Sequence, residues 1–107
     1  MSAKDVRVVL CTCPPSDASR IAKTVLEERL AACVNVVAGV TSLYRWKGQV
    51  QEDSESLLVL KTPRSCYPTL EKRLQQLHPY DVPEVLSLSV DAGADSYISW
   101  VGEATAC

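Results

Sequence analysis

The sequence predicts an α+β protein, and two observations carry that prediction. Apolar residues recur every second position in some stretches, as in strands, and every third or fourth position in others, as in helices. Prolines and short turn sequences divide these stretches into the order β-α-β-β-α-β, followed by a short helix. This order is typical of a ferredoxin-like fold, here with a long β2–β3 hairpin. The length predicts that residues 1–107 form one domain.

The first strand and the first helix follow a short lead, residues 1–5, which we expect to be disordered. Residues 6–13 are almost entirely apolar, as in a strand that is buried on both faces. Two prolines end this strand. A helix capped by Ser16 or Asp17 is predicted over residues 17–32. Its apolar side chains recur at steps of three and four residues, so it is expected to lie on the sheet.

The hairpin is the longest predicted element. Residues 34–46 alternate as in a half-buried strand, Gly39 marks a predicted bulge, and Lys47-Gly48 supplies the turn. The returning strand is predicted over residues 50–62. Thirteen residues at about 3.4 Å each reach roughly 44 Å, whereas a domain of about 100 residues has a radius of gyration near ~13 Å. The hairpin is therefore expected to lie across another copy of the chain.

The rest of the chain completes the sheet and its helical layer. A second helix is predicted over residues 66–77, and a fourth strand over residues 85–90. Between them, two prolines make the segment His78–Glu84 a stiff connector. Asp95 or Ser96 is expected to cap the last helix. Right-handed crossovers place both long helices on one face of the sheet, and self-association is expected to cover the other.

Composition narrows the class of protein. The net charge of −2 and the absence of a basic run argue against a nucleic-acid-binding protein. No apolar stretch has the length of a membrane span, and residues 1–10 do not have the layout of a signal peptide. We therefore expect a soluble, cytoplasmic protein. Five cysteines without a Cys-x-x-Cys pair predict reduced thiols rather than a disulfide framework.

The first candidate site combines sulfur and nitrogen. Cys11 and Cys13 share one face of the first strand, and His78 is the only histidine. A thiolate and an imidazole suit copper or zinc. The alternative is that both cysteines are core thiols and that His78 is a helix C-terminal residue stabilised by the helix dipole. A cysteine nucleophile with His78 would need an activated thiol, which an apolar strand does not favour, so no enzymatic activity is predicted.

The second candidate site lies where subunits are expected to meet. Glu55 and Lys61 belong to the third strand, and Trp46 to the tip of the hairpin. Tyr80 and Glu84 belong to the connector. Together they would line a polar cleft between subunits. The alternatives are a solvated strand edge for Glu55, packing for Trp46, and turn-stabilising hydrogen bonds for the two connector residues.

Several long motifs occur in a fixed order. They are Val9-Leu10-Cys11-Thr12, Glu28-Arg29-Leu30-Ala31-Ala32-Cys33-Val34-Asn35, Ser42-Leu43-Tyr44-Arg45-Trp46-Lys47-Gly48, Leu60-Lys61-Thr62, His78-Pro79-Tyr80-Asp81-Val82-Pro83-Glu84 and Tyr97-Ile98-Ser99-Trp100. Through these motifs the chain resembles the CutA family of divalent-cation tolerance proteins, over residues 8–101.

The resemblance implies a cytoplasmic homotrimer, assembled through the long hairpins and similar in architecture to the PII signalling proteins. It implies tolerance of copper and other divalent cations. The implied copper ligands are Cys11 and His78, and Leu77 stands where the family has a further histidine. A PII-like regulatory module, binding a small molecule in the inter-subunit cleft without metal, is the alternative function. A scaffold without any ligand is the third.

Overall fold

A computed structural model describes all 107 residues and contains a four-stranded sheet and three α-helices. The elements in chain order are β1 (Val6–Cys13), α1 (Ala18–Glu27), β2 (Cys33–Trp46), β3 (Gln49–Pro63), α2 (Tyr67–Leu77), β4 (Leu86–Ser89) and α3 (Asp95–Glu103). Single helical turns lie at Ala3–Asp5 and Pro15–Asp17. The predicted α+β, ferredoxin-like order with a long hairpin and a C-terminal helix is confirmed.

The sheet is antiparallel, with the strand order β2-β3-β1-β4. β1 pairs with β3 along its whole length, from Val6 opposite Pro63 to Cys13 opposite Ser56. β4 pairs with β1 over only four residues, Arg7 to Leu10. The outer half of the β2–β3 hairpin therefore extends beyond β1 as a two-stranded ribbon. Such a ribbon is only marginally stable by itself.

The main core lies between the sheet and the helices α1 and α2. Alternate residues of β1, Val9, Cys11 and Cys13, are fully buried. The residues opposite Val9 and Cys11 are Leu60 and Leu58, which are also fully buried. The helices contribute Ile21, Val25, Leu70 and Leu74. Both long helices thus cover one face of the sheet, as the crossover rule predicts.

The other face of the sheet is only partly covered. α3 closes one end of it, where Ile98 and Val101 pack against Val6. Further along, Leu86 and Leu88 of β4 stay 54% and 48% exposed. The hairpin adds more apolar side chains to the molecular surface. The part of this exposed apolar surface that belongs to the hairpin and β4 consists of Val36, Val37, Leu43, Tyr44, Trp46, Val50, Leu86 and Leu88.

The hairpin has the predicted bulge and turn. The pairing register shifts between Val37 and Val40, where Gly39 has a φ of 74°. This left-handed backbone is readily adopted by glycine. Lys47 and Gly48, with φ values of 50° and 78°, form the two-residue turn that joins Trp46 to Gln49. The longest dimension of the molecule is 44 Å, which matches the predicted span of the hairpin.

The lead of residues 1–5, for which the sequence predicts disorder, contains a helical turn at Ala3–Asp5 in this structure. Ser2 and Asp5 form a reciprocal capping box around the first helical turn. The Arg64 backbone N–H donates to the Asp5 carbonyl at 2.6 Å, and the Arg64 side chain lies 3.4 Å from the Asp5 carboxylate. These contacts fasten the start of the chain to the end of β3. Polar capping residues and a distant arginine therefore order a lead with little apolar content.

Two helix boundaries also differ from the sequence prediction. α1 ends at Glu27 instead of residue 32, because Arg29 adopts a left-handed φ of 59° and the chain then turns towards β2. Asp17 precedes α1 without capping it, since its carboxylate pairs with Arg20 at 3.0 Å. Asp95 is the first residue of α3 and makes no capping bond. Apolar periodicity located these helices, but it did not predict the left-handed backbone of Arg29 or the ion pair of Asp17.

The prediction of reduced thiols is wrong for one pair, because Cys66 and Cys107 form a disulfide. The two cysteines lie 41 residues apart in sequence, with a Cα–Cα distance of 5.1 Å. Nearby bonds hold the same C-terminal segment: the Ser65 hydroxyl donates to the Cys107 carbonyl, and the Ala106 N–H donates to the Arg29 carbonyl, both at 3.1 Å. Cysteine spacing alone does not determine such a pairing. Cys11, Cys13 and Cys33 are free.

Substitution of Cys107 by serine should destabilise the protein under non-reducing conditions. Closing a loop over the 41-residue separation is expected to contribute up to about 4 kcal/mol by restricting the unfolded chain. Urea unfolding at one fixed protein concentration should show this loss for Cys107→Ser. A reductant should bring wild type close to the variant, whereas the control Cys33→Ser should change little in either buffer. Equal unfolding midpoints for wild type and Cys107→Ser without reductant would contradict the disulfide.

Candidate functional site

Five of the predicted site residues gather at one end of the sheet. Cys11 lies near the end of β1, and Glu55 lies in β3 beside the last pair of the β1–β3 ladder. His78, Tyr80 and Glu84 belong to the connector between α2 and β4, which crosses the same end of the sheet. The site is therefore a junction between two strands and a proline-stiffened connector.

His78 fastens the connector to β1. Its side chain is buried, at 8% exposure. The Nε2–H group donates to the Thr12 carbonyl at 2.6 Å, and Nδ1 accepts the Tyr80 backbone N–H at 3.2 Å. This bonding pattern fixes the neutral tautomer that carries its proton on Nε2. Both ring nitrogens are thus occupied by protein groups.

Tyr80 and Glu55 form a second link across the junction. The Tyr80 hydroxyl donates to Glu55 Oε2 at 3.2 Å, and the Glu55 side chain is only 6% exposed. The Tyr80 ring also contacts the His78 ring, with 4.7 Å between their centroids. Burial, and then the negative charge of Glu55, raise the pKa of Tyr80 to about 12. The phenol therefore stays protonated at neutral pH and remains a hydrogen-bond donor to the carboxylate.

A similar pair lies beside it on the hairpin, where the Tyr44 hydroxyl donates to the Asp53 carboxylate. This hydrogen bond, followed by burial, raises the pKa of Tyr44. Sequence reasoning missed the pair. Tyr44 lies opposite Gln51 and is therefore diagonal to Asp53, a position that depends on the register after the bulge. The sequence alone could have suggested this contact only with that register known.

Cys11 lies beneath this junction as a protonated thiol. It is fully buried, and burial is the first cause that raises its pKa to about 12. The neighbouring Cys13, Glu84 and Glu55 raise the pKa further because a thiolate would be repelled by their negative charges. A thiol with such a pKa is a poor nucleophile, since nucleophilic attack requires the thiolate.

Trp46 and Lys61 are not part of the junction within one chain. Trp46 is at the tip of the hairpin and is 45% exposed. Lys61 follows Glu55 by six positions in β3, which corresponds to about 20 Å along a strand. Its ammonium group donates to the Asn35 side chain and to the Val59 carbonyl. A single chain therefore presents the predicted cleft residues in three separate places.

The residues of one chain do not fit a copper ion. No group of three or more His, Cys, Asp or Glu side chains is arranged to hold a metal. Of the two predicted ligands, Cys11 is a buried thiol with a raised pKa, and both ring nitrogens of His78 are hydrogen-bonded. A metal ligand must offer a deprotonated, unoccupied donor atom. In this arrangement the pair serves packing and connector attachment.

Fold and site together define a class: α+β proteins of ferredoxin-like fold with a long, apolar hairpin and a histidine-anchored connector after the second helix. A family model for the CutA1 divalent ion tolerance protein matches residues 7–104. The chain belongs to this CutA1 family. None of its α-helices is long and apolar enough to cross a membrane.

Individual relatives agree with this assignment. A "Divalent-cation tolerance protein CutA" from Thermus thermophilus is 50% identical over 99 residues, covering 92% of this chain and 96% of the relative. A "Protein CutA, chloroplastic" from Arabidopsis thaliana is 43% identical, covering 92% of this chain but 54% of that longer protein. A solved structure of the Thermus thermophilus divalent cation tolerance protein has a TM-score of 0.91 and 49% identity, covering 94% of this chain and 99% of that one.

Removal of the His78 side chain should loosen the connector. His78→Ala removes the hydrogen bonds to the Thr12 carbonyl and from the Tyr80 N–H, so we expect a loss of about 2–4 kcal/mol in the free energy of unfolding. Tyr80→Phe breaks only the bond to Glu55 and should cost about 1 kcal/mol. Hydrogen exchange of the Tyr80 amide should be faster in His78→Ala.

The matched control is Gln75→Ala, because Gln75 lies exposed on α2. It should leave both stability and exchange close to those of wild type. Unchanged protection of the Tyr80 amide in His78→Ala would show that the histidine does not hold the connector.

Proposed function

We propose that this protein contributes to divalent-cation tolerance as a cytoplasmic homotrimer. The observation that carries the assembly is the exposed apolar surface of the hairpin and β4. Eight large apolar side chains in contact with water are costly for a monomer of this size. The number three rests on the resemblance to the CutA family.

The geometry of the sheet supports a closed assembly. The ribbon formed by the outer hairpin has no third strand, and β4 is a short edge strand with exposed leucines. If each copy lays its ribbon against the next, both features are covered in every copy. A repeated contact of this kind closes into a ring when the rotation between copies fits. The same contact would place Trp46 of one copy near another copy, which the cleft requires.

Light scattering on a sizing column should return three times the 11.7 kDa chain mass. Replacing Val50 and Leu88 together by lysine puts two charges into the exposed apolar surface, so the mass should fall towards that of a monomer. Lys72→Glu, on the exposed face of α2, is the charge-changing control and should keep the wild-type mass. A monomeric wild type at micromolar concentration would refute the assembly.

A more specific version of the proposal is that the protein binds copper through Cys11 and His78. The arrangement in one chain opposes it, because the thiol must lose its proton and His78 must give up one hydrogen bond. We therefore propose that binding through this pair is weak at neutral pH. A higher pH should strengthen it, since deprotonation of Cys11 becomes easier.

A PII-like regulatory module is the second candidate, and the Glu55–Tyr80 pair favours it. This pair is a preformed polar contact between a buried carboxylate and a protonated phenol. Trp46 and Lys61 would join it only from neighbouring copies, with Glu84 from the same connector. In that function the inter-subunit cleft binds a small molecule, and metal plays no part.

Copper titration with calorimetry compares wild type with Cys11→Ser and His78→Ala at pH 7 and pH 8.5. We expect weak binding that tightens at the higher pH and decreases in both variants. Equal binding in all three proteins would remove these residues from the site.

A thermal-shift screen of small metabolites in the presence of a chelator separates the two functions. Stabilisation under those conditions would favour the PII-like module over metal binding.

No enzymatic activity is proposed, because the buried cysteine beside His78 stays protonated.

The cytoplasmic location is tested by the disulfide itself. Disulfides are rare in a reducing cytosol. Alkylation of the protein in intact cells, followed by mass analysis, should find Cys66 and Cys107 reduced if the location is cytoplasmic. An oxidised pair would place the protein in an oxidising compartment.

A further inference from the structure

A polar cavity lies at the opposite end of the sheet from the His78 junction. It has a volume of about 330 Å³ and is lined by Lys4, Arg7, Arg64, Ser89, Val90 and Asp91. The lining comes from the first helical turn, from the start of β1 and from the ends of β3 and β4. The length of β1, roughly 25 Å, separates this cavity from the junction. The predicted functions make no use of these residues.

The cavity is positively charged in a protein whose net charge is −2. Its lining carries three cationic side chains and one carboxylate, that of Asp91. The structure contains three ion pairs, and neither Lys4 nor Arg7 takes part in any of them. Two cations on the cavity wall therefore form no ion pair, although the Asp91 carboxylate lines the same wall. An anion is the chemical species that such a wall attracts.

The Arg7 side chain is held in place by the backbone around it. One of its guanidinium nitrogens, Nη1, donates to the Lys4 carbonyl at 2.8 Å and to the Val6 carbonyl at 3.1 Å. Carbonyl acceptors fix the position of the guanidinium without neutralising its charge. The N–H groups on its other nitrogens keep their capacity to donate. A fixed guanidinium with spare donors suits the oxygens of a phosphoryl group.

Arg64 forms the other wall, where its exposed side chain lies 3.4 Å from the Asp5 carboxylate. Its side chain pairs with Asp5, whose carboxylate also accepts the Ser2 backbone N–H at 3.0 Å. These contacts, the Ser2 N–H above all, lower the pKa of Asp5. The carboxylate therefore stays ionised and holds Arg64 beside the cavity. The three cations of the wall thus face two carboxylates, those of Asp5 and Asp91, and one positive charge remains in excess.

The cavity also stays clear of the proposed subunit contacts. Side chains alternate along β1, so Arg7 lies on the same face as Val9 and Cys11, which the helices cover. Leu86 and Leu88 of the exposed apolar surface are paired with Leu10 and Val8, on the other face. Subunit contacts made through Leu86 and Leu88 therefore leave the Arg7 side of β1 accessible to a small solute.

From these observations we propose a binding site for a small phosphate-type anion, with Arg7, Lys4 and Arg64 as its cationic ligands. The size of the cavity lies at the lower end of the range for small-molecule sites, so inorganic phosphate or pyrophosphate fits better than a polymer. Ser89 offers an additional hydroxyl donor at the rim. The proposal is independent of metal binding and of the Glu55–Tyr80 cleft.

Calorimetric titration with pyrophosphate in low-salt buffer tests the site on the intact protein. We expect saturable binding by wild type and at least a tenfold weaker affinity for Arg7→Gln, because a charge-assisted hydrogen bond is lost. Asp91→Asn removes the one negative charge of the lining and should tighten binding. Lys72→Gln changes the net charge by the same amount as Arg7→Gln but lies on α2, so it should bind like wild type.

Sizing of every variant checks that its assembly matches that of wild type. Asp91→Asn keeps the test decisive if Arg7→Gln misfolds, since the expected change is a gain in affinity. Absence of binding by wild type would overturn the proposal. So would an equal loss of affinity in Lys72→Gln and Arg7→Gln, which would indicate attraction to net charge alone. Weaker binding of pyrophosphate at higher salt is expected for the proposed site.

Discussion

The hydrogen-bonded imidazole of His78 determines the arrangement of this end of the molecule. A seven-residue connector with two prolines cannot make regular backbone bonds, so it needs another means of attachment. His78 supplies it by bonding to the end of β1 and to the connector itself. Tyr80 is thereby placed against Glu55 of the hairpin, and the chain is directed into β4. The only histidine thus joins three parts of the chain, and this structural role competes with metal binding for the same two nitrogens.

Hydrophobic periodicity was enough to predict most of the fold. The apolar run in β1 and the helical spacing in α1 and α2 reflect burial, which a sequence records directly. Features that depend on a single backbone angle or on a distant partner could not be predicted from the sequence. Arg29 ends α1 through a left-handed conformation that arginine seldom adopts. The Cys66–Cys107 pair depends on where α3 delivers the C-terminus, and no local pattern near Cys66 encodes that.

The candidate site was likewise only partly predictable from the sequence. Sequence reasoning selected Cys11, His78, Glu55 and Tyr80, and the structure places all four at one junction. It did not indicate their chemical states, because a pKa depends on burial and on neighbouring charges that only the fold supplies. Cys11 is the clearest case: the residue type suits a metal, whereas the buried, anionic surroundings favour the neutral thiol. Trp46 and Lys61 belong to the same predicted cleft but lie elsewhere on the chain, so that cleft requires more than one copy.

The disulfide and the polar contacts that hold the chain ends in place are concentrated at one end of the molecule. The Asp5–Arg64 contacts, the Cys66–Cys107 disulfide and the Ser65–Cys107 bond all lie where β1 and β3 meet the helical turns. The tip of the hairpin has only its own two strands. In an isolated chain, local opening should therefore cost least at the tip and most near the tied ends, a gradient of rigidity along the 44 Å axis. The segment with the least internal support is also the one with the most exposed apolar area, so its rigidity would have to come from contact with another molecule.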